Sequence, residues 1–122
     1  MKNQAYRMTM LFDFYGELLT DRQKEFFDLY YNEDLSLAEI AENYGISRQG
    51  VRDAIVRAEG VMTEMEDKTG IIKRFHLTQS QLSSAAESLN AILALNDAKY
   101  EDPELEALAR RARETIEQLQ QE

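Results

Sequence analysis

The sequence predicts an all-α fold of amphipathic helices joined by short turns. Apolar residues recur at intervals of three and four residues in every segment, which is the period of a helix that buries one face. Several Ser/Thr–x–x–Glu/Gln patterns precede these segments, and such patterns are typical of helix starts. No segment alternates apolar and polar residues with the period of two that indicates a half-buried strand.

The first two helices are predicted over residues 5–19 and 21–31. Thr20 with Gln23 forms a capping box that opens the second helix, because each side chain can satisfy a backbone N–H near the helix start. The first helix has a wide apolar stripe made of Met8, Leu11, Phe12, Tyr15, Leu18 and Leu19. We expect the aromatic side chains to lie in the core, namely Phe12, Tyr15, Phe26, Phe27, Tyr30, Tyr31 and Tyr44.

Residues 36–58, SLAEIAENYGISRQGVRDAIVRA, predict two helices joined by a tight turn. Ser36 with Glu39 forms a capping box at the start of the first helix. Gly45 stands where the chain turns sharply, and glycine enters the left-handed region without steric cost. Ser47 caps the second helix. The small and branched residues needed where two close helices touch are also present, as Ala41 and Val51. This combination is typical of a helix-turn-helix nucleic-acid reader, although an ordinary helical hairpin would pack in the same way.

The second helix of this pair is predicted to continue well beyond the motif, to an end or kink at Gly70. A heptad-like seam indicates this length, and it comprises Val51, Ile55, Ala58, Met62, Met65, Thr69 and Ile72. Gly50 and Gly60 lie inside the helix, and each weakens it by about 1 kcal/mol relative to alanine. The distal part of the seam needs a partner, which is either the chain's own C-terminal helices or a second copy of the chain.

Two further helices are predicted near the C-terminus. Thr78 with Gln81 reads as a third capping box, and it would start a helix over about 79–95. Asp102 followed by Pro103 predicts the start of a last helix. The chain is therefore predicted to contain a helix-turn-helix domain over residues 1–75 with a long recognition helix. A C-terminal helical region over residues 76–122 would pack or dimerise.

Charge and composition limit the function. The formal net charge of the 122 residues is −9, which opposes strong non-specific binding to nucleic acid. Residues 47–58 nevertheless hold three arginines against a single acid, Asp53. The chain lacks cysteine, has no apolar run of about 18 residues and has no signal-like N-terminus. We therefore expect a cytoplasmic protein with no membrane span, no disulfide and no thiolate metal site.

The candidate nucleic-acid-binding residues cluster at the start of the second helix of the motif. Arginine can contact guanine or phosphate, glutamine can contact adenine, and a capping serine with free N–H groups suits a phosphate. The alternative is an ordinary solvated helix start with solubilising charge. The candidates are Ser47, Arg48, Gln49, Arg52 and Arg57.

An enzymatic role has little support in the sequence. His76 is the single histidine, and without cysteine it makes a poor metal centre. We find no nucleophile–base arrangement and no glycine-rich phosphate loop. The prediction is a protein that is not an enzyme, with no catalytic residues, no cofactor and no metal.

The segment LLTDRQKEFFDLYYNEDLSLAEIAENYGISRQGV resembles region 4 of bacterial sigma factors, and within that group it is most similar to the YlxM family of small helix-turn-helix proteins. The resemblance covers about residues 8–75, with Gly50 standing where that family usually has alanine. It implies a sigma region 4-like helix-turn-helix bundle in a bacterial cytoplasmic dimer. It also implies a regulatory role linked to the signal recognition particle.

Two functions follow as alternatives. The first is a homodimeric regulator that binds DNA or the RNA of the signal recognition particle. The second is an acidic dimeric adaptor, in which the helix-turn-helix is only a scaffold. Its partner by resemblance is the GTPase protein of the particle.

Overall fold

The computed structural model describes residues 5–121, and this part of the chain contains six α-helices and no strand. The all-α prediction is therefore confirmed. The described chain forms two compact units, the first ending at Ile72 and the second beginning at Lys73. The helices are α1 (Ala5–Tyr15), α2 (Asp21–Tyr31), α3 (Leu37–Tyr44), α4 (Arg48–Thr69), α5 (Ile71–Leu95) and α6 (Pro103–Gln120).

Local side-chain caps set most helix starts in the first unit. Both predicted capping boxes form, at Thr20 before α2 and at Ser36 before α3. The predicted end of α4 is also confirmed, because Gly70 follows it in the left-handed conformation with φ 62°. These features satisfy the orphan backbone groups at the helix ends, so the boundaries follow from short-range chemistry.

The first helix is shorter than predicted. It ends at Tyr15, and residues Gly16–Leu18 form a single tighter 3₁₀ turn before α2. Gly16 is buried, and a Cβ atom at this position would lie 3.2 Å from Cδ1 of Phe12. The absence of a side chain on Gly16 therefore allows the Phe12 ring to pack over the turn that ends α1.

Two apolar clusters hold the first unit together. The first joins α2, α3 and the beginning of α4, and its buried members are Phe26, Tyr30, Ile40, Ala41, Val51 and Ile55. The second joins α1, α2, the distal half of α4 and the first turn of α5, and its buried members are Met8, Leu11, Tyr15, Leu19, Phe27, Ala58, Met62 and Ile72. The expectation that the distal part of α4 needs the C-terminal helices or a second copy is wrong. Met62 is fully buried in a cluster with side chains of α1 and α2.

The second unit consists of α6 and all but the first two residues of α5. A wide turn over Asn96–Tyr100 links the two helices. Asn96 is buried, and its amide nitrogen donates to the carbonyl of Asp102 at 2.9 Å while its amide oxygen accepts from the N–H of Asp102 at 3.0 Å. Asp102 in turn caps α6 by accepting from the N–H groups of Glu104 and Leu105. Asn96 therefore fixes the turn and the start of α6 together.

The predicted helix start at Thr78 is wrong. Residue 78 lies inside α5, which runs without a break from Ile71 to Leu95. Neither glycine nor proline occurs within this helix. Because a Ser/Thr–x–x–Glu/Gln pattern favours a helix start without ending the preceding helix, nothing in the local sequence interrupts α5.

Candidate nucleic-acid interface

The turn before α4 holds the first residues of that helix in a fixed position. Gly45 is left-handed with φ 66°, and the next N–H, that of Ile46, donates to the carbonyl of Ala41 at 3.1 Å. Ser47 then caps α4 by accepting from the N–H of Gly50 at 3.0 Å. A Cβ atom on Gly50 would lie 3.2 Å from that Ser47 oxygen, which is tighter than an ordinary contact. Glycine at position 50 therefore leaves room for the cap.

All five predicted interface residues are exposed, but they do not share one face. A helix turns by about 100° per residue, so Arg48 and Arg52 lie about 40° apart around α4. Arg57 follows Arg48 by nine residues, and this spacing places it about 180° away on the other side of the helix axis. The structure therefore brings Ser47, Arg48, Gln49 and Arg52 together at the start of α4. It places Arg57 on a separate flank.

The arginines of α4 are available for contact. Within residues 5–121, no ion pair or hydrogen bond occupies the guanidinium groups of Arg48, Arg52 or Arg57. Gln49 is different, because its side-chain amide donates to Oδ1 of Asp53 at 2.8 Å. Lys68, near the other end of α4, forms an ion pair with Glu64 at 2.9 Å, as is common for exposed charges four residues apart on a helix.

Two neighbouring titratable side chains, Tyr31 of α2 and Glu59 of α4, lie close to this surface. The Tyr31 hydroxyl and Oε1 of Glu59 are both buried, and neither makes a well-formed hydrogen bond within the described residues. Burial raises the pKa of Tyr31, and the neighbouring Glu59 charge raises it further. Burial also raises the pKa of Glu59, although the neighbouring Tyr31 hydroxyl and, to a smaller extent, the positive charge of Arg52 act in the opposite direction. Arg52 thus lies at the edge of a partly buried acidic site.

The family model described as "Putative helix-turn-helix protein, YlxM / p13 like" matches residues 2–100. A UPF0122 protein of Desulforamulus reducens is 43% identical over 101 residues, which are 83% of this chain and 80% of the relative. A UPF0122 protein of Acetivibrio thermocellus is 40% identical over 121 residues, which are 96% and 97% of the two chains.

The chain belongs to the YlxM / p13-like family of helix-turn-helix proteins. The family match contains all of α1 to α5, so it includes the capped start of α4 and its arginines. A UPF0122 protein of Thermoanaerobacter is 40% identical over 112 residues, which are 92% of each chain. This family assignment supports the helix-turn-helix reading of residues 36–58 over that of an ordinary helical hairpin.

The sequence pattern presents Asp53 only as a counter-charge to the arginines of this YlxM-type surface. In the structure it is exposed and fixes the amide of Gln49. The spacing of the two residues could have revealed the pair, because side chains four residues apart are neighbours on a helix.

Two further kinds of site were sought in the sequence, a metal centre and a membrane-spanning helix. Among residues 5–121, no group of three or more His, Cys, Asp or Glu side chains is arranged to hold a metal ion. No helix in this range has the length and apolar content needed to cross a bilayer.

Proposed function

We propose that this protein is a nucleic-acid-binding regulator that places the first two turns of α4 against duplex DNA. The observation that carries the proposal is a capped and exposed helix start with two adjacent arginines, Arg48 and Arg52, that make no ion pair within the described residues. We propose a binding role for this surface and no catalytic activity.

The geometry of a helix start favours duplex DNA over duplex RNA. The major groove of B-form DNA admits an α-helix, and helix-turn-helix proteins contact base edges with the N-terminal residues of the second helix. The major groove of A-form RNA is too narrow for a helix. On DNA, the Arg48 and Arg52 side chains would reach phosphates, and the N–H groups at the start of α4 would favour a further phosphate.

The test is fluorescence anisotropy with labelled genomic DNA fragments at several salt concentrations. Two phosphate contacts per protomer predict that log K falls against log salt with a slope of about −2. The double variant Arg48→Ala with Arg52→Ala should lose this binding. Arg110→Ala with Arg111→Ala is the charge-matched control, because it removes two exposed arginines of α6 and should leave binding unchanged. Unchanged binding by the first variant would overturn the proposal.

The same assay tests whether the protein binds the RNA of the signal recognition particle. The YlxM resemblance implies a role in that pathway, so the particle RNA is the second probe. Preferential binding to this RNA, lost in the Arg48 and Arg52 variant, would move the proposal from DNA to unpaired or phosphate-exposed RNA.

A protein adaptor is the second candidate, and the charge of the first unit favours it. The exposed surface of α2, α3 and the loop between them is dominated by acidic residues, namely Asp21, Glu25, Asp28, Glu33, Asp34, Glu39 and Glu42. Such a surface would suit a basic partner such as the particle's GTPase protein. Pull-down of that protein after nuclease treatment distinguishes the two functions, because an adaptor would retain its partner without nucleic acid.

We also propose that the second unit forms a homodimer. Between Phe75 and Asn96 the sequence contains one residue among Asp, Glu, Lys and Arg, namely Glu87. Such depletion of charged residues is typical of interface cores. Large apolar side chains of this unit remain exposed, including Leu77, Ile92, Leu95, Leu105, Leu108 and Leu119. Two helices with so few buried residues lack a core of their own, and a second copy would supply it.

Light scattering coupled to gel filtration tests the dimer. The wild type should elute as a dimer at micromolar concentration. Leu108→Lys, at a side chain that is 58% exposed, should shift the protein towards monomer. Gln118→Lys is the control, since it adds the same charge at an exposed polar position of α6. A monomeric wild type would refute the dimer without affecting the proposal for α4.

A further inference from the structure

We propose that Gln49 and Asp53 read base edges, and that Asp53 selects bases that present an amino group in the major groove. Adenine and cytosine present such a group, whereas guanine presents only acceptors at this edge. This inference rests on the proposed function of α4 as a DNA reader, and it adds the base preference of that surface.

The position of the pair around α4 is the first argument. Val51 is fully buried, so its direction marks the core side of the helix. Gln49 and Asp53 lie two residues before and after Val51, so each points within about 20° of the direction opposite the core. Arg48 and Arg52 lie on the flank, at about 60° and 100° from Val51. The pair therefore occupies the centre of the exposed face, which would meet the groove floor while the arginines meet the phosphates.

The hydrogen bond within the pair is the second argument. A carboxylate only accepts, so the Gln49 amide nitrogen must face Asp53, and it does so at 2.8 Å. This contact uses one of the two N–H groups on that nitrogen. The remaining N–H and the amide oxygen match N7 and the amino group of adenine. The glutamine is thus held in an orientation that suits adenine before DNA binds.

Charge supplies the third argument. The second carboxylate oxygen of Asp53 can accept from the amino group of cytosine or adenine, and it would repel O6 and N7 of guanine. The same negative charge opposes contact with phosphates in general, on a chain whose net charge is already −9. An aspartate at this position therefore weakens non-specific affinity and increases discrimination between bases.

Selection from a randomised duplex library tests the inference, with Asp53→Asn and Asp67→Asn compared with the wild type. Asp67 is an exposed residue of the same helix, so its variant makes the same charge change away from the helix start. On the strand that α4 contacts, the wild type should enrich adenine or cytosine over guanine at one or more positions. The ratio of affinity for the preferred site to affinity for the guanine-substituted site should be at least about fivefold smaller for Asp53→Asn than for the wild type, because the variant lacks the carboxylate charge that repels the guanine acceptors.

The Asp67→Asn control and the two contrary results lead to different conclusions. Asp67→Asn should select the wild-type sequences. If Asp53→Asn also selects those sequences and still excludes guanine, the pair is a surface interaction within the helix and the inference fails while the proposed function stands. If the wild type enriches no sequence and binds no duplex, the proposed function fails and the inference fails with it.

Discussion

The hydroxyl group of Tyr15 donates a 2.6 Å hydrogen bond to Oε1 of Glu66, and this bond ties the end of α1 to the last turns of α4. The same hydroxyl lies 2.8 Å from Oγ1 of Thr69. Oε1 of Glu66 also accepts from the backbone N–H of Ile72 at 3.0 Å. One carboxylate oxygen therefore serves three helices of the chain, α1, α4 and the first turn of α5.

Removal of this hydroxyl should destabilise the protein. Tyr15→Phe keeps the buried ring and deletes the bonds to Glu66 and Thr69, so the free energy of unfolding should fall by about 1–2 kcal/mol. Urea denaturation followed by circular dichroism measures the change. Tyr6→Phe is the matched control, because Tyr6 is 81% exposed and should show almost no effect. Equal stability of the two variants would show that the buried bonds contribute nothing net.

The left-handed turn of the helix-turn-helix should not tolerate a side chain. Gly45 has φ 66°, and no atom lies within 4 Å of a Cβ built on it, so alanine at this position meets only backbone strain. Gly45→Ala should therefore reduce stability by about 1–2 kcal/mol.

Alanine at position 60 should change stability in the direction opposite to alanine at position 45. Gly60 lies inside α4, is exposed and also has open space around an added Cβ. Gly60→Ala should raise stability by about 0.5–1 kcal/mol, because alanine costs less conformational entropy in a helix. Thermal unfolding of the two alanine variants should shift in opposite directions, and a shift in the same direction would contradict the argument.

The raised pKa of Glu59 predicts a pH-dependent effect. Burial raises the pKa of this carboxyl in the folded state, so the folded protein binds more protons than the unfolded chain at pH values between the two pKa values. The contribution of Glu59 to stability is thus fully present below the unfolded pKa, and it is lost as the pH rises through the folded pKa.

Replacement of Glu59 by glutamine removes this dependence. The stability of Glu59→Gln relative to the wild type should increase as the pH is raised from about 4, near the unfolded pKa of a glutamate, to 7. Urea unfolding at intervals across this range measures the difference. Glu64→Gln, at an exposed position of the same helix, is the control. A relative stability that decreases with pH would mean that the pKa of Glu59 is lowered by folding.

The distal half of α4 should be as sensitive to cavities as a conventional core. Met62 is fully buried among the side chains of α1 and α2, so Met62→Ala should cost about 2–5 kcal/mol. Val61→Ala is the control on the neighbouring exposed position, and it should cost far less. A drop in the urea midpoint for Met62→Ala at a constant denaturant slope would confirm a pure loss of stability.

The helix boundaries set by local chemistry could be predicted from the sequence. Thr20, Ser36, Ser47 and Gly70 each act on backbone groups within four residues, so a short pattern contains the whole interaction. The error at Thr78 has the same origin, because a pattern that permits a helix start cannot show that the preceding helix has ended.

Features that depend on packing between distant residues could not be predicted in this way. Met62 packs in a cluster with residues of α1 and α2, which lie far earlier in the chain, and no local pattern connects them. The candidate surface at the start of α4 could be predicted only in part. The exposure of Arg48 and Arg52 followed from helical spacing, whereas the Gln49–Asp53 hydrogen bond required the positions of both side chains.

Continuity of α4 has a mechanical consequence. Its 22 residues form one helix of about 33 Å, with the cap at Ser47 at one end and Gly70 at the other. The buried positions Val51, Ile55, Ala58 and Met62 clamp this rod to its neighbours over more than half its length. A force applied to the guanidinium groups at its tip therefore cannot be absorbed by local bending. The force is passed on to the helices packed against α4, so the Arg48 and Arg52 side chains are carried on a stiff support.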